Sequence, residues 1–166
     1  MKKFLVVLIL MFGLVSLSKA ANVAYVDLEK VMNVSEKGKK YKKELENKLE
    51  FYQNKAKDLQ AKLQDLQKQL QSPALNDKAK EEKRKEMREL ARQLQTLEAQ
   101  ANEELAKMKA NAEKSMIAEI KKIVEKIAKE RNYEAVFYGG LVSGVLYASP
   151  KLDITDEVLK EYNKQK

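Results

Sequence analysis

Leu45, Leu49, Tyr52, Ala56, Leu59, Leu63, Leu66 and Leu70 succeed one another in steps of 4, 3, 4, 3, 4, 3 and 4, with polar residues filling most of the gaps. Apolar side chains so spaced share one narrow stripe of an α-helix, and strict alternation of threes and fours is the seam of a coiled coil. The pattern predicts a helix opened by Ser35 and stopped at Ser72-Pro73, where the missing backbone donor of proline ends it. A second stripe runs through Met87, Leu90, Leu94, Leu97, Ala101, Leu105, Met108, Ala112, Met116, Ile120, Ile123 and Ile127. It predicts a helix from about Lys78 to Arg131, capped by Asn76 or Asp77, with no glycine or proline inside. Extra steps of four move its mean spacing from 3.5 towards ~3.6, so the supercoil should relax to nearly straight. From Met116 the stripe widens to take in Ile117 and Val124, which calls for a partner broader than one helix.

Helices joined by so short a turn should lie antiparallel, giving a hairpin arm over residues 36–112 with its tip near 72–77. The surplus of the second helix must pack on the two chain ends. There, Val23 to Val26 reads as a strand and Asp27 as the cap of a brief helix through Leu28, Val31 and Met32. Glu134–Tyr138 and Val145–Ala148 read as two more strands joined by a glycine-bearing hairpin connection, and Thr155 as the cap of a last helix. The expected fold is α+β, mostly α: a small body of three strands from residues 21–35 and 113–166, with the arm inserted between sheet strands. Such a body is too small to bury a core of its own. Val23, Tyr25, Val26, Val136, Phe137, Val145, Leu146 and Tyr147 are therefore expected to form an oligomerisation surface, with strand edges closed into a barrel by other copies.

Composition sharpens this picture. Residues 1–20 combine a basic start, the apolar run FLVVLILMFGLV and small residues at Ser18 and Ala20, the pattern of a cleaved export signal; the run is too short to span a bilayer. No transmembrane span is expected once it is removed, and the mature chain is expected to start at Ala21. The chain has no cysteine and no histidine. That removes disulfides, thiol and imidazole catalysis and the usual zinc ligands, so it is read as a non-enzyme without cofactor or metal. GGLVSG lacks the Lys-Ser/Thr of a phosphate loop. The net charge of +8 falls to +5 without Lys2, Lys3 and Lys19, and the positive excess lies on the long helices.

The stretches VAYVDLEKVM, SEKGKKYKKELE and LVSGVLYASPKLDITDEVLKEY, with the interrupted helical pair between them, resemble the Skp/OmpH family of periplasmic chaperones over essentially the whole mature chain. The resemblance implies a homotrimer with a β-barrel body and three helical tentacles around a cavity that holds unfolded outer-membrane proteins without ATP. It carries over no catalytic residue and no lipopolysaccharide-binding residue. The expected function is an ATP-independent holdase, exported and soluble in the periplasm, that prevents aggregation of those clients. The alternative is a structural coiled-coil adaptor or tether of the cell envelope. Nucleic acid, suggested by a pI of about 9.4, is argued against by export and by a basic tip without interleaved aromatics.

Candidate client contacts are Tyr41, Phe51, Met87 and Met108. Phe51 falls at a heptad c position, away from the partner helix, and reads either as a ring under neighbouring lysine stems or as an apolar contact for clients. Tyr41, beside the seam, carries the same two readings; the methionines suit a promiscuous surface, but their spacing favours the seam. Near the tip Lys80, Lys83, Arg84, Arg88 and Arg92 form a candidate contact for anionic lipid or lipopolysaccharide, although interleaved glutamates also fit ordinary i,i+4 stabilisation.

Overall fold

The computed structural model describes residues 21–139 and 144–165; the export signal expected at residues 1–20 lies outside them. The elements are β1 (Val23–Asp27), α1 (Leu28–Val34), α2 (Glu36–Leu70), α3 (Asp77–Arg131), β2 (Ala135–Gly139) and α4 (Thr155–Lys164). At ~1.5 Å per residue α2 extends about 52 Å and α3 about 82 Å.

Local chemistry sets the boundaries. Asp27 accepts from the Lys30 amide at 2.8 Å and starts α1. Ser35, fully buried, accepts from the Gly38 amide at 3.1 Å and starts α2. A Cβ on Gly38 would lie 1.6 Å from the Met32 carbonyl oxygen, so only glycine lets α1 and α2 meet this closely. Asn76 caps α3 through the Ala79 amide at 2.8 Å. Asn132 ends α3 in the left-handed conformation, φ 56°, one that asparagine tolerates better than most residues.

β1 and β2 pair in parallel, Val23 opposite Ala135 and Asp27 opposite Gly139. Parallel neighbours need a long crossover, and the whole arm serves as that crossover. On the other edge of β1, the Tyr25 amide donates to Leu152 O at 2.7 Å, and the Ile154 amide donates to Tyr25 O at 2.9 Å.

Two expectations about the body are corrected. Val145–Ala148 is not a strand: the free edge of β1 is taken by residues 152–154 instead. Among the described residues the segment finds no backbone ladder, and most of the expected hairpin connection, residues 140–143, lies outside them. The last helix is not capped by Thr155 either. Asp153 accepts from the Thr155 amide at 2.8 Å and from the Thr155 hydroxyl, whose oxygen accepts from the Asp27 amide at 2.8 Å. The reason is burial: Thr155 is 1% exposed, and its hydroxyl is needed to tie α4 to β1.

The core gathers Ala24 and Val26 of β1, Val31 of α1, Met116, Ile120, Ile123 and Ile127 of α3, Ile154, and Val158 and Tyr162 of α4. The surplus of α3 thus packs on both chain ends. Among described arm residues only Leu66 and Leu97 are buried; the other seam residues are half-buried, and Leu49 is 43% exposed.

Candidate functional site

Antiparallel pairing of α2 and α3 builds the arm, and three sets of polar contacts cross it. Nearest the tip, the Lys83 ammonium donates to Gln69. In the middle, Lys48 and Tyr52 both donate to Glu104, Lys48 at 2.6 Å. At the root, Lys37 Nζ donates to both Glu119 oxygens at 2.6 and 2.7 Å. Single surface pairs of this kind contribute little to stability. Placed at intervals along a thin seam, they fix its register.

The middle set contains the most distinctive side chains of the arm. The Phe51 ring meets Tyr52 edge-on at 5.5 Å between centroids, and the ammonium groups of Lys55 and Lys48 sit 4.3 and 5.4 Å from its centre. Phe51 nonetheless remains 46% exposed. Two ammonium groups thus lie over the ring while nearly half of the residue stays open to water. The bond to Glu104 raises the Tyr52 phenol above its ordinary value, and the same carboxylate raises Lys48. In return, bonds from Lys48 and Tyr52 hold Glu104 below the usual carboxylate range.

The remaining candidate contacts are scattered. Tyr41 packs against the body core at the arm's root. Met87 and Met108 are half-buried on the α3 seam and lie about 31 Å apart at ~1.5 Å per residue. At the tip, Lys83 is engaged with Gln69, Arg88 pairs with Glu81 at 3.2 Å and Arg92 with Glu89 at 3.0 Å. Arg84 is exposed and Lys80 half-buried.

In the body, Tyr25 stands opposite Phe137 and Val26 opposite Tyr138. Phe137 and Tyr138 are 51% and 61% exposed, Leu146 is wholly exposed and Tyr147 is 81% exposed. Val145 is half-buried and Val23 and Val136 are partly covered. An apolar groove of about 590 Å³ is lined by Val26, Leu28, Ile117, Val124, Val136 and Tyr138. Ile117 and Val124, the residues that widen the α3 stripe, therefore line the groove with the sheet.

Glu119 and Tyr162 were not singled out by the sequence. The Tyr162 hydroxyl donates to Glu119 at 3.0 Å, and Ser115 donates to the same carboxylate at 3.2 Å. Burial pushes Glu119 up, but the bonds from Lys37, Tyr162 and Ser115 outweigh it and hold the carboxyl below its ordinary value. Burial, then the bond to Glu119, pushes the Tyr162 phenol up. A cue existed, since Glu119 interrupts an apolar stripe three residues after Met116 and four before Ile123.

No helix among the described residues is long and apolar enough to cross a membrane. Over 164 residues the chain is 40% identical to an uncharacterized protein of Aquifex aeolicus (strain VF5), covering 99% of this chain and 98% of that one. The crystal structure of a candidate outer membrane chaperone (OmpH-like) from Caulobacter crescentus CB15 shares the fold, with a TM-score of 0.78 at 15% identity over 89% of this chain and 86% of that one. The family described as outer membrane protein (OmpH-like) matches residues 22–162, taking in the body, the arm and the closing helix alike. The chain belongs to the Skp/OmpH family of chaperones.

Proposed function

We propose that this protein is an ATP-independent holdase of the periplasm, which takes unfolded outer-membrane proteins between its arms and keeps them from aggregating. The observation that carries the reading is the pairing of a long, thinly packed arm with a body that leaves Phe137, Tyr138, Leu146 and Tyr147 in water. Large exposed apolar groups of this kind mark an association surface. Copies would associate there, the open edge of β2 and the Val145–Ala148 segment supplying strands to a shared barrel; family membership supports three copies. The arms would then project from one body and bound a common cavity. In it the half-open Phe51 ring between Lys48 and Lys55 is the best-placed client contact, with Met87, Met108 and Tyr41 subsidiary to seam and core packing. Lys80, Arg84 and their neighbours would attract anionic client segments or lipid head groups over a Debye length of ~8 Å.

The test is an aggregation assay with an unfolded outer-membrane β-barrel in buffer without nucleotide. The mature protein in stoichiometric excess should delay precipitation, and failure to do so defeats the holdase reading. An adaptor or tether would instead bind one folded partner and leave the unfolded barrel to precipitate.

A further inference from the structure

We propose that α4 is a clasp that sets the angle at which the arm leaves the body, with Glu119 as its pin. The helix touches every element that meets at the arm's root. Thr155 holds it to β1 through the Asp27 amide, and Asp156 pairs with Lys30 of α1 at 2.8 Å. Near its end, the Asn163 side-chain oxygen accepts from the Glu36 amide at 3.0 Å, satisfying a free donor in the first turn of α2. One residue earlier, Tyr162 reaches Glu119 of α3, the carboxylate that also holds Lys37 of α2. Adjacent residues of α4 therefore grip the two legs of the arm separately, Asn163 the α2 leg and Tyr162 the α3 leg. At the other end Glu157 pairs with Arg131 at 2.7 Å, at the C-terminal end of α3.

Further out, the next polar contact across the arm is at Glu104, about four helical turns from Glu119. The root is thus the first place where a change of angle would be resisted. The Tyr162 ring is 2% exposed and belongs to the body core, so the link to Glu119, between Met116 and Ile120 of that core, holds α3 at the edge of the packed unit where the arm leaves it. A short rigid element bonded to both legs converts body packing into arm direction, the geometry of a hinge with a stop.

The proposal concerns a single chain and is independent of copy number and client. The absence of native cysteine allows two spin labels to be placed cleanly, through Asn33→Cys on α1 and Ala74→Cys at the tip. Labelled protein diluted with unlabelled protein gives the distance distribution within one chain by pulsed dipolar spectroscopy. The double variant Tyr162→Phe, Asn163→Ala severs both polar links from α4 to the arm yet leaves the aromatic ring and the Lys37–Glu119 pair in place. It should broaden the distribution and shift its mean, with Glu119→Gln broadening it further. Glu103→Gln, which removes an equal charge from the Lys107 pair on the same helix, should leave the distribution unchanged. A double variant indistinguishable from the parent, or a Glu103→Gln variant that broadens as much, overturns the proposal. Should Glu119→Gln fail to fold, the double variant alone decides. Because no client enters the measurement, a failed aggregation assay and a failed clasp are separate outcomes.

Discussion

The body and the arm share one helix, α3, and obey different rules. On α3, Met116, Ile120, Ile123 and Ile127 are buried in the body, whereas along the arm part of the same helix only Leu97 is buried. The body is held by particular side chains in particular places: Ser35 under Gly38, Thr155 between Asp153 and Asp27, Tyr162 on Glu119. The arm is held by a repeat, and most of its seam residues keep one side in water. Specific packing gives a unit that resists deformation, while a thin repeat tolerates local loosening.

The sharpest way to break this contrast is a pair of matched truncations. Ile120→Ala in the body should lower stability by about 2–5 kcal/mol, the usual range for a buried aliphatic side chain. Leu63→Ala, half-buried in the arm, should fall clearly short of it; equal losses by chemical denaturation at fixed chain concentration would mean that the arm is packed as tightly as the body. Next comes Gly38→Ala, where the added Cβ has no room beside the Met32 carbonyl. It should destabilise by about 1–3 kcal/mol, although alanine is the better helix former; a more stable variant would show that the junction yields.

Acid tests the root. The Glu119 carboxyl is depressed, so its stabilising contribution is whole above the ordinary glutamate value near ~4.3 and disappears as pH falls through the lower folded-state value. Glu119→Gln should be less stable at neutral pH, and its stability should fall less steeply across that acidic window; an unaltered slope would remove Glu119 from the account. Tyr52→Phe takes one hydroxyl from Glu104 and should lower stability by less than the Gly38 change does. Amide exchange should quicken around residues 48–56 and 100–108 while the body is unaffected. At the bottom of the scale, Arg88→Ala breaks an exposed pair and should change stability by no more than about 0.5 kcal/mol.

The same contrast explains what could be read from the residues alone. The ends facing the turn and the start of the first long helix were legible because caps and breakers act over three or four positions: Ser35, Asn76 and Pro73 fall where the helices start and stop. The body was legible only in part. Val23 and Asp27 announce a strand and a cap, yet nothing local says that the cap falls on Ile154 and that the Thr155 hydroxyl turns to Asp153 and the Asp27 amide, because that arrangement depends on β1 arriving from across the chain. Val145–Ala148 has the composition of a strand but forms no ladder among the described residues, which no propensity can reveal. The motifs that carry the family resemblance, AYVD and DIT, lie against one another: the Asp27 amide donates to Thr155. That contact gives a physical reason for Thr155.

The parallel register of β1 on β2 has a kinetic corollary. Joining Val23 to Ala135 through a slack chain of ~110 residues would carry a closure entropy of about 4 kcal/mol before any contact rewarded it. Once α2 and α3 have zipped, the same two ends are delivered to each other by a nearly rigid fork, and the remaining gap is a handful of residues. β1, made well before β2, is therefore among the last elements to find its neighbour, and it waits on the completion of helices that touch it only at their base.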